Sequence, residues 1–358
     1  MDNILSVDQL HVEFNAPEGL IKAVKGVSFK IPKGKTVAIV GESGSGKSVI
    51  SQSIMGILPK TGSVTKGQIT FYDPKKSYQE TIITSIKNNS SKMRKIRGSG
   101  ISIIFQEPMT SLSPLHTIGN QIAESYLLHN KVSKNEAREA TVEILKLVGF
   151  PNSSKAVDIY PFELSGGLRQ RAMIAMAMIC RPALLIADEP TTALDVTVQA
   201  QILKLMKDLQ SNLEMAILMI THDLGVVANM ADEIIVMYHG EIMEYGSLKD
   251  IFHDAQHPYL KSLLKAVPRF GMKTNERLIP IREINTNISS LGSKIKLKAD
   301  NNLVLEVKNL SKTFKTRKKS IFKSSNHNII KAIDDVSFDV PRGKCVGLVG
   351  ESGCGKTT

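Results

Sequence analysis

Two stretches of the sequence share the spacing G-x-x-x-x-G, followed by a lysine and a hydroxyl residue. The first consists of Gly41, Glu42, Ser43, Gly44, Ser45, Gly46, Lys47 and Ser48. The second includes Gly350, Gly353, Gly355, Lys356 and Thr357. Glycines let the backbone wrap closely around an anion because they tolerate unusual dihedral angles, and the N–H groups of a following helix face that anion. In such loops the lysine reaches the outer phosphates of a nucleotide and the hydroxyl ligates Mg²⁺, so the spacing predicts two phosphate-binding loops.

Four apolar stretches each end in a polar side chain suited to nucleotide chemistry. They are residues 37–40 before the first loop, 101–105 before Gln106, 183–187 before Asp188 and Glu189, and 216–220 before Thr221 and His222. Ligands of doubly wound sheets bind at the carboxyl ends of the strands. We therefore expect an α/β fold in which one crevice receives a lysine, a glutamine, two carboxylates and a histidine.

Periodicity and capping residues predict the elements around these strands. Ser133, with Glu136 three residues later, predicts the start of a helix over residues 133–149, and Gly149 ends it. The sequence further predicts antiparallel strands at residues 5–14 and 24–31, a polar surface excursion at 73–98, and a hairpin of 234–238 with 241–244.

An internal repeat organises the chain. Residues 23–35 recur with substitutions at 332–344, an offset of 309, and the apolar positions Leu5, Val7, Leu10 and Phe14 recur as Leu305, Val307, Leu310 and Phe314. The repeat indicates duplication of a whole domain. We expect a complete domain at 1–268, a linker at 269–302 and the N-terminal part of a second domain at 303–358. Because the last segment is too short for a stable α/β core, we expect its strands to expose apolar faces. We also expect the sequence to be a fragment or a prematurely ended product.

Composition limits the class of protein. With 42% hydrophobic and 22% charged residues, the chain is typical of globular proteins. It has no apolar run of about 18 residues that would span a bilayer. The three cysteines lack the spacing of a metal site, and we expect them to be reduced thiols of a cytosolic protein.

The net charge of +12 is concentrated at residues 294–323, where nine lysines and one arginine accompany two carboxylates. Basic clusters of this kind occur in nucleic-acid sites, in segments attracted to anionic membranes and in solvated linkers. No aromatic-interleaved basic groove accompanies the charge, which disfavours the first of these. We therefore expect no nucleic-acid partner.

The order of the candidate residues resembles that of the ATP-binding subunit of an ABC transporter over residues 1–268. The resemblance rests on the first loop, Gln106, Leu164, Ser165, Gly166, Gly167, Asp188, Glu189, Asp195 and His222. Phrases at 105–112, 187–201 and 257–259 are similar to the branch that imports oligopeptides, dipeptides, nickel and glutathione, and to microcin-type importers that fuse two ATPases in one chain. The resemblance implies a P-loop NTPase of ABC type. Such a fold has a mixed central sheet, an antiparallel β subdomain and a helical signature subdomain, here followed by an incomplete second copy.

The resemblance implies a role in ATP hydrolysis for five polar residues. Ser48, Gln106 and Asp188 would lie at the Mg²⁺ ion, as expected for a hard cation that prefers oxygen ligands. Glu189 would act as the general base on water, and His222 would contact the γ-phosphate. Phosphoryl transfer requires mainly positioning and charge neutralisation, which such a set supplies.

Other roles implied by the resemblance concern adenine and a partner domain. Phe14 would stack on adenine, and Phe314 would do the same in the second copy. The signature residues 164–167 would cap an ATP held by the loop of a partner domain, so that two ATP molecules lie between two domains. Asp195 would belong to the D-loop.

The resemblance implies an ATPase subunit attached peripherally to the cytoplasmic face of the inner membrane, where it powers import of peptides or related small substrates. The implied partners are a second ABC ATPase domain, two integral membrane permease subunits and an extracytoplasmic substrate-binding protein. The alternatives are an ABC-type ATPase that is not coupled to transport and a truncated product without function. The cargo stays open among peptides, glutathione-like thiols, peptide antibiotics and nickel.

Overall fold

The structure is a computed structural model that describes residues 2–17, 19–106, 111–192, 194–266, 303–315, 329–351 and 354–358. The chain folds as two units. The first comprises Met1–Leu194 and Val198–Arg282, and the second comprises Asp195–Thr197 and Glu283–Thr358. The predicted linker at 269–302 lies outside the described residues.

The described strands of the first unit form an antiparallel sheet and a mixed sheet. They are β1 (Asn3–Ala16), β2 (Gly19–Pro32), β3 (Thr36–Val40), β4 (Gly62–Asp73), β5 (Gln79–Ile82), β6 (Ile101–Ile104), β7 (Leu184–Asp188), β8 (Ala216–Thr221), β9 (Glu233–Tyr238) and β10 (Glu241–Ser247). The antiparallel sheet has the order β2-β1-β4-β5. The mixed sheet has the order β10-β9-β3-β8-β7-β6, with parallel pairing from β9 to β6 and an antiparallel edge at β10. The predicted hairpin is β9 with β10, and the predicted antiparallel strands lie within β1 and β2.

The helices of the described residues flank the mixed sheet. They are α1 (Lys47–Met55), α2 (Ser91–Ile96), α3 (Ile118–His129), α4 (Lys134–Leu147), α5 (Ser153–Ala156), α6 (Gly166–Met178), α7 (Val196–Leu213), α8 (Leu224–Met230), α9 (Leu248–Phe252) and α10 (Pro258–Lys265). Helices α3 to α6 lie between β6 and β7 in the chain, and α3 packs against α4 and α6. In the part of the chain that the structure describes, we find no helix with the length and apolarity that crossing a membrane requires.

Both faces of the mixed sheet are buried at its parallel strands β3, β6, β7, β8 and β9, which explains why these strands read as continuous apolar runs. Successive side chains of a strand point to opposite faces. In β3, Ala38 and Val40 pack with the helices α3, α6 and α8, whereas Val37 and Ile39 pack with α1 and the antiparallel sheet. The sheet is thus fixed from two sides, and its strand ends are held at defined positions.

The predicted start of the helix at Ser133 is confirmed. The Ser133 hydroxyl accepts a hydrogen bond from the Glu136 N–H at 3.2 Å, and the Glu136 carboxylate accepts one from the Ser133 N–H at 2.7 Å. The helix α4 ends at Leu147, two residues earlier than predicted. This capping box satisfies two N–H groups that a helix otherwise leaves unpaired.

We expect Ser133→Ala to lower the free energy of unfolding by about 1 kcal/mol, because it removes one capping acceptor. Urea unfolding of the full chain, followed by circular dichroism, measures the effect. Ser154→Ala is the matched control, since Ser154 is an exposed serine of α5 that does not cap it. Equal unfolding midpoints for the two variants would show that the cap adds nothing.

The expected surface excursion at 73–98 is wrong in part. Its residues Ile83, Met93 and Ile96 are buried in the core beneath the antiparallel sheet. Met93 and Ile96 are three residues apart on α2 and therefore share one helix face. Three apolar side chains among many polar ones are enough to fix this segment to the core, although they give a weak periodic signal.

The second unit repeats local backbone detail of the first. Its strands β11 (Leu303–Lys315) and β12 (Ile329–Pro341) pair antiparallel. Asn309 has a positive φ of 48°, and its N–H donates to the Ser337 hydroxyl at 2.9 Å. Gln9 has a φ of 44° and donates in the same way to the Ser28 hydroxyl at 2.8 Å. Both residues lie at a β-bulge, where the register of the strand pair shifts. The sequence repeat is therefore also a structural repeat at this bulge.

Most apolar residues of β11 are exposed, as the sequence led us to expect. Leu305 and Leu310 are 49% and 43% exposed, whereas the corresponding Leu5 and Leu10 of β1 are fully buried. In the first unit, β4 pairs with β1 and the core beneath the sheet covers the apolar face of β1.

Candidate functional site

The first loop joins β3 to α1 and adopts a conformation that requires glycine. Gly46 has a φ of 97°, and a Cβ atom there would lie 2.4 Å from the carbonyl oxygen of Ala23. A Cβ atom at Gly41 would lie 2.2 Å from the carbonyl oxygen of Met237. Side chains at these positions would collide with backbone, so the loop can pass close to β2 and β9 only because both residues are glycine. Such a closely wrapped backbone is what a loop needs to contact phosphates through its N–H groups.

Lys47 is the first residue of α1, and its ammonium group is buried within the loop. Its Nζ donates to the carbonyl oxygens of Gly41 and Glu42, both at 2.8 Å. Burial lowers the pKa of Lys47, while the nearby charges of Glu189, Asp188 and Glu42 oppose that shift. A buried cation of this kind gains stability from an anionic ligand, since the ligand replaces the lost hydration. The loop therefore fits a phosphate chain.

Asp188, at the end of β7, faces two hydroxyl groups of α1. The Ser48 hydroxyl donates to Oδ1 at 3.0 Å and the Ser51 hydroxyl donates to Oδ2 at 3.2 Å. Asp188 is 7% exposed, and burial raises the pKa of its carboxyl group while the two hydroxyl donors lower it. No group of three or more His, Cys, Asp or Glu residues that could hold a metal is found among the described residues. One carboxylate and one hydroxyl fit Mg²⁺, which typically completes its shell with water and substrate phosphates.

Glu189 collects hydrogen bonds from three separate segments. Its Oε1 lies 3.1 Å from Nδ1 of His222, and its Oε2 accepts from Gln106 Nε2 and from the Thr192 hydroxyl, each at 3.0 Å. Burial alone would raise the pKa of Glu189, but the hydrogen bonds from His222 and Thr192, together with the charge of Lys47, lower it overall. Glu189 also has a positive φ of 49°, which is uncommon for a residue with a side chain. The fold thus holds an ionised carboxylate in a strained conformation.

Parallel pairing explains why these groups meet. The strands β3, β8, β7 and β6 are consecutive neighbours with the same direction, so their carboxyl ends share one edge of the sheet. The Glu189 N–H donates to the carbonyl oxygen of Ile220 at 2.8 Å, which ties the segment after β7 to β8. The structure places Lys47, Ser48, Asp188, Glu189, Gln106 and His222 at this edge. It is the crevice that the four strand ends led us to expect.

Comparison with protein-family models decides the family. A model of ABC transporters matches residues 24–192 and 333–358, and a model of the oligopeptide/dipeptide transporter C-terminal region matches residues 243–293. The chain belongs to the ABC transporter family. The two matched ranges of the first model contain the two loops, so the internal repeat is a repeat of ABC sequence.

Two curated relatives illustrate the similarity. The glutathione import ATP-binding protein GsiA of Escherichia coli (strain K12) is 44% identical over 360 residues, which cover 99% of this chain and 57% of GsiA. The dipeptide transport ATP-binding protein DppD of Bacillus subtilis (strain 168) is 51% identical over 282 residues, which cover 78% of this chain and 81% of DppD. The chain therefore spans little more than half the length of GsiA.

Solved structures share the fold. A dimeric bacterial ABC transporter cassette, MJ0796, is 27% identical with a TM-score of 0.59 and covers 68% of this chain and 98% of its own. CbiO1 of Clostridium perfringens, described as part of an ABC transporter complex, is 30% identical with a TM-score of 0.58 and covers 70% and 91%. These matches confirm the predicted α/β fold of ABC type, with its mixed sheet and its antiparallel sheet.

The residues predicted to form the ABC signature, 164–167, lie at the N-terminus of α6. Ser165 is the N-cap of that helix, and its hydroxyl accepts from the Leu168 N–H at 3.4 Å. Leu164 is buried, Ser165 and Gly166 are exposed, and a Cβ atom at Gly167 would lie 2.8 Å from Val198. This predicted signature segment therefore presents the N-terminus of a helix at the surface. Asp195 directly precedes α7 and belongs to the second unit.

Phe14 lies on β1, where its ring covers Gly62. A Cβ atom at Gly62 would lie 2.5 Å from Cε1 of Phe14, so the glycine makes room for the ring. Phe14 is partly buried against the core beneath the antiparallel sheet. The structure thus gives Phe14 a packing contact, and its contact with adenine stays a prediction.

Sequence reasoning missed three side chains that support the site. Thr192 donates to Glu189, and Ser51 donates to Asp188. Gln170 is buried, and its Nε2 donates to the Pro190 carbonyl at 2.5 Å, which joins α6 to the segment after β7. The spacing of Ser51, three residues after Ser48 on α1, could have indicated the second donor to Asp188.

The loop of the second unit follows the pattern of the first. The Lys356 ammonium donates to the carbonyl oxygens of Gly350 and Glu351. A Cβ atom at Gly355 would lie 2.4 Å from the Ala332 carbonyl, the distance that Gly46 shows with Ala23. Gly353 lies outside the described residues, Thr357 is exposed, and Phe314 is 49% exposed with the Lys312 ammonium 5.7 Å from its ring centre.

Proposed function

We propose that the chain hydrolyses ATP in this crevice. In doing so it powers import of peptides or related small substrates, of the dipeptide, oligopeptide or glutathione class, through an ABC transporter. The observation that carries the proposal is the position of Glu189, an ionised carboxylate held by Gln106, Thr192 and His222 at the edge where the loop presents Lys47. A carboxylate so placed can accept a proton from water beside a bound phosphate.

In the proposed site, the first loop holds the phosphate chain of ATP. Lys47 leaves the carbonyl oxygens of Gly41 and Glu42 and donates to the outer phosphates, where a full negative charge makes the hydrogen bonds stronger. The N–H groups of the loop and of the first turn of α1 face the same phosphates. Ser48 and Asp188, with Gln106 nearby, would hold Mg²⁺, which neutralises charge on the phosphates when it is bound.

Glu189 acts on the attacking water. Because its pKa is lowered, the carboxylate is ionised at neutral pH and is ready to accept the water proton. His222 contacts Oε1 of Glu189 through its Nδ1 and would also contact the γ-phosphate. Gln106 donates a hydrogen bond to Oε2 of Glu189. The same carboxylate therefore links the water, the phosphate and the segment that follows β6.

We assign the complete ABC domain to residues 1–268, a linker to 269–302 and the beginning of a second ABC domain to 303–358. The separate family matches at 24–192 and 333–358 support the two domains. The repeated bulge at Gln9 and Asn309 and the repeated loop contacts of Lys47 and Lys356 also support them. By this repeat, the second loop and Phe314 would serve a second nucleotide.

We further propose that the signature residues 164–167 cap an ATP held by a second ABC domain, which another segment of the same protein, another copy or a separate subunit would supply. The exposed N-terminus of α6 supports this, because its N–H groups are suited to a phosphate. Support also comes from the similar cassette MJ0796, which was solved as a dimer. Asp195, the predicted D-loop residue, would lie at the same interface.

Ser165→Arg tests the role of the signature. We expect steady-state ATP hydrolysis to fall about tenfold or more, since the new side chain covers the N–H groups that would stabilise a partner's phosphate. Binding of MgADP to single chains, measured by calorimetry, should stay within about twofold of wild type because the first loop is intact. Ser133→Arg is the matched control, since Ser133 is also an exposed N-cap serine. If Ser165→Arg hydrolysed ATP at the wild-type rate, residues 164–167 would have no role in the reaction.

The proposed partners in the membrane are two integral permease subunits, and an extracytoplasmic binding protein would deliver the substrate. We propose that the chain lies peripherally on the cytoplasmic face of the membrane. The match to the oligopeptide/dipeptide transporter C-terminal region and the similarity to GsiA and DppD support this class of substrate.

Affinity purification of the full chain from detergent-solubilised membranes tests the proposed transport function. Two integral membrane proteins should co-purify with it, and dipeptides or glutathione, added with the binding protein to the reconstituted complex, should stimulate ATP hydrolysis. Active ATPase recovered only with soluble or nucleic-acid partners would contradict coupling to transport.

A further inference from the structure

Hydrogen bonds tie the first residues of the helix α10 to the strand β10. His257 is its N-cap, and the ring Nδ1 accepts a hydrogen bond from the Tyr259 N–H at 3.1 Å. The His257 N–H donates to the Glu244 carboxylate at 2.8 Å. Pro258 occupies the first helical position, where its fixed φ favours the helix and no N–H is lost. These contacts fix the start of α10, from which the Tyr259 side chain extends.

Tyr259 extends from α10 to the phosphate loop. Its ring stacks on Tyr238, the last residue of β9, with ring centres 4.3 Å apart and an interplanar angle of 30°. Its hydroxyl accepts a hydrogen bond from the backbone N–H of Glu42 at 3.3 Å. Tyr259 is only 8% exposed, so both contacts are shielded from water. A side chain of the segment matched by the oligopeptide/dipeptide transporter model thus contacts the phosphate loop that begins at Gly41.

The peptide group between Gly41 and Glu42 is held from both of its polar ends. Its N–H donates to Tyr259, and its carbonyl oxygen accepts from Lys47 at 2.8 Å. Lys47 has to leave that carbonyl to reach a phosphate, whereas the hydrogen bond to Tyr259 does not depend on the lysine. The tyrosine can therefore keep the first turn of the loop in place while Lys47 changes partner.

We propose that Tyr259 is a positioning residue for the phosphate loop, through which nucleotide affinity and the position of α10 depend on each other. The proposal rests on the proposed function of the loop as an ATP site. Because a free-energy coupling between two sites is reciprocal, nucleotide in the loop also stabilises the contact with α10. The residues 257–259 belong to the region matched by the oligopeptide/dipeptide transporter model, so that region is then coupled to the nucleotide site.

Tyr259→Phe in the full chain tests the proposal, because it removes the hydroxyl and keeps the ring. We expect the Kd for MgADP, measured by calorimetry, to rise about three- to tenfold, as for one neutral hydrogen bond. The matched control is Tyr245→Phe, which removes a hydroxyl that donates to Glu233 between β10 and β9. The control should bind MgADP within about twofold of wild type.

Two further readouts separate positioning from a general loss of stability. In wild type, MgADP should slow hydrogen exchange of the backbone amides at 259–265, and in Tyr259→Phe this protection should be lost. His257→Ala should weaken binding as Tyr259→Phe does, whereas His257→Asn should restore it because asparagine is a good N-cap.

The outcomes are distinct. Wild-type affinity in Tyr259→Phe, or equal weakening in Tyr259→Phe and Tyr245→Phe, would overturn the proposal while the ATP site stands. Failure of the wild-type chain itself to bind MgADP would overturn the proposed function, and the role of Tyr259 with it.

Discussion

Glu189→Gln should lower kcat for ATP hydrolysis by about two to four powers of ten, the range that general-base catalysis contributes. Glutamine preserves the size of the side chain, and its carbonyl oxygen still accepts one of the hydrogen bonds now made by Gln106, Thr192 and His222. It has no charge to accept a proton from water. Because the loop and Lys47 are untouched, the variant should bind MgATP with an affinity close to wild type. The measurement is phosphate release at saturating MgATP, together with calorimetric binding.

A second glutamate provides the matched control for this variant. Glu214 also has a positive φ, 48° against 49° for Glu189, and it forms an exposed ion pair with Lys33 at 2.8 Å. Glu214→Gln therefore makes the same chemical change at a residue with nearly the same φ, outside the crevice. Its kcat should match wild type. Hydrolysis by Glu189→Gln at the wild-type rate would show that another group activates the water.

The sequence predicts the site at the level of strand ends. Apolar runs at β3, β6, β7 and β8 locate four ends, and parallel pairing brings the following residues to one edge. These strand ends can be located from the sequence because strands that are buried on both faces consist of continuous apolar segments. The capping box at Ser133 is equally local, since both of its hydrogen bonds join residues three apart.

Contacts between distant segments could not be read from the sequence. Tyr259 and Glu42 are separated by 217 residues, and Gln170 and Pro190 by 20. Each contact depends on the packing of a whole element, which no local spacing encodes. The case of Phe14 is similar, because an aromatic residue at a strand end can cover a glycine or a ligand. The structure shows the contact with Gly62, and adenine stacking needs its own test.

Lys47→Ala should raise the Kd for MgATP about a hundredfold or more. The ammonium would make charged hydrogen bonds to the phosphates, each contributing about 1.5–3 kcal/mol, and alanine leaves that part of the cradle without a positive charge. Burial increases this loss of affinity, because a charge interacts more strongly with a phosphate where little water screens it. The buried environment that lowers the pKa of Lys47 in the free protein is thus the same one that makes its charge valuable to a bound nucleotide.

Lys356→Ala is the internal control for the loss of Lys47, because Lys356 makes the same loop contacts in the second unit. Lys356 is exposed, whereas Lys47 is 6% exposed, so its interaction with a phosphate is screened by water. Calorimetry on the 358-residue chain should therefore give Lys356→Ala an affinity within about twofold of wild type for the tighter site. If Lys356→Ala removed tight binding and Lys47→Ala did not, the working nucleotide site would lie in the second loop, and the roles assigned to Asp188, Glu189 and His222 would fail together.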